Sequence, residues 1–179
     1  MTKKLIILDR DGVINRDTKD YIKHADEWLP LPGSLEAIAL FTQAGYKIAI
    51  ATNQSGIAQG LYDEATLDAI HAKLRTCAKA YNGIIDSIFY CPHTDANQCL
   101  CRKPKTGLLE QISQHYHMDL QGTPFVGDSW RDLEAGLKMG CQPVLVRTGN
   151  GEKTAPEFGF TPICWHLPSI FWPIINRLK

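Results

Sequence analysis

Two aspartates stand one residue apart directly after a short apolar run. Asp9 and Asp11 follow Leu5–Leu8, which has the composition of a buried strand, and Gly12 allows the chain to turn immediately afterwards. Carboxylates at the end of a strand can bind a hard cation, and one oxygen can remain free to attack an electrophile. A solvated turn is the alternative for this pair alone, so its interpretation depends on the residues that follow the later strands.

Groups suited to binding phosphate follow the second predicted strand. They carry hydroxyl and amide side chains, in the order Thr52, Asn53, Gln54 and Ser55. Together with exposed backbone N–H groups at the same turn, they could hold the oxygens of a phosphate. A polar turn without a ligand is the alternative for this segment.

Another carboxylate follows the fourth predicted strand. Asp128 leaves its strand as Asp9 does, so adjacent strands would bring the two carboxylates together. With the backbone carbonyl of Asp11 they form a set of hard oxygen ligands that suits octahedral Mg²⁺. Ser129 comes next and is a candidate substrate contact. Asp132 is either a further member of this site or a cap for the helix that begins there.

Three cysteines and one histidine share the loop that follows the third predicted strand. They are Cys91, His93, Cys99 and Cys101. A Cys₃His set of this kind is typical of tetrahedral zinc, and four protein ligands leave no open coordination position. We therefore predict a structural zinc in the loop 91–101. Redox or disulfide chemistry is the alternative.

Two basic residues follow the last of these zinc ligands. Arg102 and Lys103 lie between the predicted zinc site and Pro104, which restricts the conformation of the residue before it. A loop fixed on both sides can hold a lysine rigidly in place, so Lys103 is predicted to bind phosphate. A solvated basic loop is the alternative. The later segment Gly149–Gly151 has no such neighbours and is predicted to be a plain turn.

Short apolar strands alternate with helices and would position all of these residues. The predicted strands are Leu5–Leu8, Lys47–Ala51, Ser87–Tyr90, Pro124–Val126 and Pro143–Val146. The predicted helices between them are Leu35–Gln43, Glu64–Ala80, Gly107–His115 and Arg131–Met139. This alternation predicts an α/β fold with a Rossmann-like parallel sheet flanked by helices. Ligands of such sheets bind beyond the carboxyl ends of the strands, where every polar cluster described above is expected.

Length and composition restrict the class of protein further. The chain has 179 residues, 44% of them apolar, and its 19 basic and 19 acidic residues cancel. This predicts one domain over 1–179, and the lack of a basic run argues against nucleic-acid binding. The apolar tail Pro162–Leu178 is interrupted by prolines and is expected to pack on the body rather than contact lipid. With no targeting signal visible, we expect a cytoplasmic protein and a monomer. Thiols are expected to stay reduced in the cytoplasm, so the clustered cysteines favour metal binding over disulfides.

Taken together, these motifs are similar to those of the haloacid dehalogenase superfamily of phosphatases. The four family motifs match Asp9-x-Asp11, Thr52, Lys103 and Gly127-Asp128 in that order. The intervals between the motifs leave no room for an inserted cap domain, so the resemblance implies a capless member. Within the superfamily, the segments 9–12, 52–56, 91–104 and 146–149 resemble those of the heptose bisphosphate phosphatase branch. The histidinol-phosphate phosphatase branch shares the zinc loop and is the alternative.

The resemblance implies a Mg²⁺-dependent phosphatase that acts on a small phosphorylated sugar. In the heptose branch this is removal of the 7-phosphate of D-glycero-D-manno-heptose 1,7-bisphosphate, a step toward ADP-heptose and lipopolysaccharide core. Asp9 is then the nucleophile and Asp11 the general acid and base, while Thr52 and Lys103 hold the phosphate. The implied substrate contacts are Asn53, Gln54, Ser55, Arg102 and Ser129, with Arg102 on a second phosphate. A zinc-stapled interaction domain without catalysis is the non-enzyme alternative.

Overall fold

Five parallel strands form one sheet in the computed structural model, which describes residues 4–157. The strands are β1 (Lys4–Leu8), β2 (Tyr46–Asn53), β3 (Ser87–Cys91), β4 (Pro124–Gly127) and β5 (Gln142–Leu145). Their spatial order is β3-β2-β1-β4-β5, and every neighbouring pair is parallel. The carboxyl ends of all five strands therefore lie at one edge, and the predicted Rossmann-like sheet is confirmed.

Five α-helices connect and follow the strands in the described part of the chain. They are α1 (Ser34–Gln43), α2 (Glu64–Ala80), α3 (Gly107–Tyr116), α4 (Trp130–Lys138) and α5 (Gly151–Glu157). The first four agree with the predicted helices to within one residue at each end. The helix α5 was not predicted. The expected packing of Pro162–Leu178 lies outside the described residues.

The apolar run of β1 is continuous because both faces of this strand are covered. Ile6 and Leu8 belong to one core cluster with residues of α1 and α2. Leu5 and Ile7 belong to a second cluster on the opposite face, with residues of α3 and α4. All four side chains are at most 3% exposed. This two-sided burial fixes β1 at the centre of the sheet and with it the position of the residues that follow.

No inserted domain interrupts the element order between residues 4 and 157, in agreement with the capless architecture expected from the motif intervals. Within the same residues, no helix is both long and apolar enough to cross a membrane. A cytoplasmic monomer stays a prediction.

Candidate active site

A fully buried lysine joins several elements at the carboxyl edge of the sheet. The Nζ of Lys103 lies 3.0 Å from an oxygen of Asp9 and 2.6 Å from an oxygen of Asp132, and it donates to the carbonyl oxygen of Ala51 at 2.7 Å. Burial would lower the pKa of Lys103, but the two carboxylates outweigh it and raise the pKa above its ordinary value. Lys103 is therefore a fixed cation beside the predicted nucleophile.

Asp132 uses its two carboxylate oxygens for two purposes. One oxygen pairs with Lys103, while the other accepts hydrogen bonds from the backbone N–H of Ser129 at 3.1 Å and its hydroxyl at 2.7 Å. Ser129 and Asp132 thereby form the capping box of α4, so the capping interpretation of Asp132 is confirmed, and the same side chain also lies beside Lys103. The cap occupies the Ser129 hydroxyl as a donor, and the predicted substrate contact of Ser129 stays a prediction. Gly127 is required here because a Cβ atom on it would lie 2.2 Å from the Cβ of Asp132.

Three carboxylates face one another beside this lysine. One oxygen each of Asp9, Asp128 and Asp132 lie within 4.8 Å of one another. Burial raises the pKa of Asp128 to about 7. Burial and the neighbouring carboxylates also raise the pKa of Asp9 well above its ordinary value, although Lys103 acts in the opposite direction. Three carboxylates against one ammonium leave two negative charges, which a divalent cation would neutralise. Hard oxygen donors fit Mg²⁺, and Asp9 and Asp128 are the side chains free to hold it, since both oxygens of Asp132 are committed.

The second aspartate of the motif faces a different cation. Arg10 is 1% exposed, and its guanidinium donates to both oxygens of Asp11 at 2.9 to 3.1 Å. Burial would raise the pKa of Asp11, but Arg10 and hydrogen bonds from Asn15 and Gln54 lower it below its ordinary value. His71 faces the other side of the guanidinium, with its Nε2 3.3 Å from an Arg10 nitrogen. This role of Arg10 was not predicted from the sequence, although its position between Asp9 and Asp11 was a signal for a charge pair.

Gln54 connects the two halves of the site. Its amide nitrogen donates to Asp11 and to the Thr52 hydroxyl, both at 2.8 Å. Its amide oxygen accepts from Arg10 at 3.1 Å and from the Tyr62 hydroxyl at 2.7 Å. With these four contacts the side chain orients the residues around it, and the predicted direct contact of Gln54 with substrate stays a prediction.

Asn53 attaches the zinc-loop side of the site to the sheet. Its amide nitrogen donates to the carbonyl oxygen of Lys103 at 3.1 Å, and its amide oxygen accepts from the backbone N–H of Lys103 at the same distance. This pair of bonds holds the main chain of Lys103 at the end of β2. The amide of Asn53 therefore positions the lysine, and its predicted contact with substrate stays a prediction.

The segment Gly149–Gly151 is not a plain turn, and that prediction was wrong. Asn150 donates to an oxygen of Asp128 from its backbone N–H at 2.7 Å and from its side chain at 3.2 Å. A Cβ atom on Gly149 would lie 2.1 Å from the same oxygen. The close approach of this segment, followed by α5, orients Asp128. The contact spans 22 residues of sequence, so local spacing gave no sign of it.

The four predicted zinc ligands lie together. Their donor atoms are all within 4.8 Å of one another, and the three sulfur atoms are 3.0 to 3.6 Å apart. The Nδ1 of His93 lies 3.3 Å from the sulfur of Cys101. None of the three cysteines forms a disulfide in the structure, and the structural zinc stays a prediction. A tetrahedral zinc with bonds of about 2.3 Å would separate its sulfurs by about 3.7 Å, which fits a cluster of this size.

A cavity of about 480 Å³ opens above the strand ends. Nine of the predicted site residues line it, namely Asp9, Asp11, Thr52, Asn53, Gln54, Ser55, Arg102, Asp128 and Ser129. Lys103 lies beneath its floor, 2% exposed. The structure thus brings the predicted phosphate, metal and substrate residues to one concave site, with the zinc loop beside it.

Comparison with known proteins agrees with this geometry. Residues 100–166 match the family model described as HAD-hydrolase-like. The D-glycero-beta-D-manno-heptose-1,7-bisphosphate 7-phosphatase of Pseudomonas aeruginosa is 57% identical over 154 residues, 86% of each chain. The D-glycero-alpha-D-manno-heptose-1,7-bisphosphate 7-phosphatase of Campylobacter jejuni is 39% identical over 159 residues, covering 88% of this chain and 89% of that protein.

A solved structure extends the likeness to three dimensions. The crystal structure of D,D-heptose 1,7-bisphosphate phosphatase from B. bronchiseptica, complexed with magnesium and phosphate, superposes with a TM-score of 0.92 at 48% identity. The match covers 97% of this chain and 99% of that one. Fold and site together define a hydrolase of the haloacid dehalogenase class. Within that class, the chain belongs to the family of D-glycero-D-manno-heptose-1,7-bisphosphate 7-phosphatases.

The buried His71 should make the free energy of unfolding depend on pH. Burial, followed by the charge of Arg10, lowers the pKa of His71 from 6.5 to about 3. Between pH 6.5 and 3 the unfolded chain therefore binds more protons at His71 than the folded chain does. The contribution of His71 to the free energy of unfolding is fully present above pH 6.5 and is lost progressively as the pH falls through this range. This group alone should cost about 1.4 kcal/mol between about pH 7.5 and 5.5.

Urea unfolding of the wild type and of His71→Gln at these two pH values measures the effect. The variant should lose about 1.4 kcal/mol less than the wild type on acidification, since its side chain does not titrate. The same replacement at the exposed His24 is the control and should keep the wild-type pH dependence. If the free energy of unfolding fell by the same amount on acidification in His71→Gln and in the wild type, His71 would not be the source of the pH dependence.

Proposed function

We propose that the protein is a Mg²⁺-dependent phosphatase that removes the 7-phosphate of D-glycero-D-manno-heptose 1,7-bisphosphate. The observation that carries this proposal is the buried Lys103 between Asp9 and Asp132, with Asp128 facing the same point. The higher identity of the relative named for the beta anomer supports the beta anomer as substrate. The product would enter ADP-heptose synthesis for the lipopolysaccharide core.

Two steps at phosphorus account for the reaction. A carboxylate oxygen of Asp9 bonds to the phosphorus while the bond from phosphorus to the sugar oxygen breaks, and Asp11 gives that oxygen a proton. Asp11 then takes a proton from water, whose oxygen bonds to phosphorus as the bond to Asp9 breaks. Inorganic phosphate leaves, and both aspartates return to their initial state. Mg²⁺ held by Asp9 and Asp128 would neutralise charge so that a carboxylate can approach a phosphate.

The other side chains hold the reacting phosphate in line. The ammonium of Lys103 is fixed and buried, so it can stabilise charge on the phosphate oxygens without reorganising. The hydroxyl of Thr52 is oriented by Gln54 at 2.8 Å and can donate to the same phosphate. Hydrolysis of phosphate monoesters needs some of the largest known rate enhancements, which explains why several charged groups converge here.

Asp11 must gain a proton before it can act as an acid. In the free site Arg10 and its neighbours keep the pKa of Asp11 low, so the group is a carboxylate. An arriving phosphate brings about two negative charges next to Asp11 and favours its protonated form. The proton is thus taken up as substrate binds and is given to the leaving sugar oxygen in the first step, which leaves Asp11 as the carboxylate that serves as base in the second step. The proton that Asp11 then takes from water is released when phosphate leaves, because Arg10 favours the ionised form in the free site.

A side-by-side assay of two substrates tests the proposed function. With Mg²⁺ present, the wild type should release phosphate from heptose 1,7-bisphosphate with a kcat/KM at least about a hundredfold above that for histidinol phosphate. Chelation of Mg²⁺ should abolish both activities. A preference for histidinol phosphate would favour the other branch, and absence of phosphate release from either substrate would favour a non-enzymatic role.

The nucleophile can be tested by a replacement that keeps its shape. Asp9→Asn should lower kcat by more than about a thousandfold, because an amide cannot form the covalent intermediate. The far-ultraviolet circular dichroism spectrum should be unchanged. Asp68→Asn, on the exposed face of α2, is the matched control and should keep wild-type kcat. Retention of substantial activity in Asp9→Asn would refute the covalent mechanism.

The zinc loop is proposed to act on catalysis through geometry. Cys101 lies two residues before Lys103, so its anchor is within about 7 Å of the lysine backbone. Cys101→Ser should lose zinc and lower kcat by about a hundredfold, since a misplacement of about 1 Å can cost that much. The Mg²⁺ concentration for half-maximal activity should change little, because Asp9 and Asp128 follow other strands.

Metal analysis and kinetics on the same samples separate the outcomes. Cys77→Ser, a free thiol on α2, is the control and should keep both zinc and activity. Zinc-free Cys101→Ser with full activity would show that the loop serves stability alone. Zinc retained at the wild-type ratio in Cys101→Ser would remove Cys101 from the ligand set.

A further inference from the structure

Two guanidinium groups share one carboxylate at the mouth of the active-site cavity. An oxygen of Asp95 accepts from the Nε of Arg102 at 2.7 Å, and its other oxygen lies 3.5 Å from an Nη atom of Arg131. Both arginines line the cavity that contains Asp9. Asp95 begins a short 3-10 helix in the zinc loop, and Arg131 lies in the first turn of α4. Two different elements thus bring a pair of cations to one point.

The two arginines are held with different firmness. The side chain of Arg102 is 12% exposed and also donates to the carbonyl oxygen of the zinc ligand His93 at 3.1 Å. The side chain of Arg131 is 38% exposed, and its guanidinium lies 5.7 Å from the centre of the Trp130 ring. Arg102 is therefore the fixed member of the pair, and Arg131 can move a short distance to meet a ligand.

The shared carboxylate indicates what this pair of cations can bind. Two guanidinium groups placed side by side repel each other unless an anion lies between them, and in the free protein Asp95 supplies that anion. Asp95 is itself 69% exposed, so its contacts with the arginines can be exchanged for those of a ligand. A phosphate carries about twice the charge of a carboxylate and offers three oxygens, so it can engage both planar forks at once.

We propose that Arg131 is a specificity-determining residue that, together with Arg102, binds the phosphate that is not hydrolysed. Asp95 keeps the two guanidinium groups in register until that phosphate arrives. This inference rests on the proposed function, because it requires a substrate with two phosphates. It adds the guanidinium group of Arg131, from α4, to that of Arg102, which was predicted from the sequence to contact the second phosphate.

The other cations of the described cavity lining are less suited to this task. Arg10 is committed to Asp11 at the buried end of the site. Lys153 lines the cavity from α5, next to Asn150 and apart from the zinc loop. Arg131 alone among the described cavity residues shares an anion with Arg102.

The test compares one sugar with two phosphates and the same sugar with one. The substrates are heptose 1,7-bisphosphate and heptose 7-phosphate, which present the same reacting group. Arg131→Gln should lower kcat/KM for the bisphosphate about tenfold, mainly through KM, since a partly exposed charged hydrogen bond is lost. The change for heptose 7-phosphate should be less than about twofold. Lys138→Gln, on an exposed part of the same helix, is the matched control and should change neither value.

Product inhibition supplies a second measurement, which reports binding of the second phosphate without a second substrate. Heptose 1-phosphate retains the second phosphate, so its inhibition constant should rise about tenfold in Arg131→Gln, while that of inorganic phosphate should stay constant. Equal losses on both substrates, or no loss, would overturn the inference for Arg131. A selective loss in Lys153→Gln instead would place the second phosphate at the opposite side of the cavity. If the wild type did not prefer the bisphosphate, the proposed function itself would fail.

Discussion

The buried ammonium group of Lys103 is the constraint on which the rest of the site depends. A charge removed from water is tolerated only when other groups replace its hydration, and here two carboxylates and a carbonyl oxygen do so. Asp9 comes from the end of β1, Asp132 from α4, and Ala51 from β2. Asn53 adds two bonds to the lysine backbone. The cluster is complete only when two neighbouring strands, a helix and the zinc loop are in register, so the fold and the site are stabilised by the same contacts.

The two aspartates of the first motif differ because each faces its own cation. Burial and two further carboxylates raise the pKa of Asp9 despite Lys103, whereas Arg10 and hydrogen bonds from Asn15 and Gln54 lower the pKa of Asp11. A bound divalent cation reverses the first of these directions, because it favours the ionised form of the carboxylates that hold it. In the proposed mechanism Asp9 is then the nucleophile, while Asp11 responds to the charge of the substrate. That mechanism gives two identical side chains one residue apart two roles, because their surroundings differ.

The sequence was sufficient to predict the sheet, four helices and the residues that gather at the cavity, because strand ends of a parallel sheet meet at one edge. It was not sufficient for contacts that depend on long-range packing. Asn150 and Thr154 both bond to Asp128, from the segment between β5 and α5 and from α5 itself, and two glycines made that segment resemble a turn. Asp132 satisfied the rule for a helix cap, and the pairing of its second oxygen with Lys103 has no local signature. The position of Arg10 between two acids was a signal for a charge pair, but its burial is revealed only by the structure.

The zinc loop joins the rigid and the adaptable ends of the cavity. Asp95 lies within this loop and Arg102 directly after it, both at the open mouth of the cavity, while Lys103, the next residue, is buried among fixed partners. Groups at the reacting phosphate must be placed to within a fraction of an ångström, so they are inside the protein and bonded on every side. Groups that distinguish one sugar phosphate from another have only to offer charge at the correct distance. In the proposed function, the residues beneath the cavity therefore keep the chemistry constant, while Arg102 at its mouth and Arg131 of α4 determine which substrate is accepted.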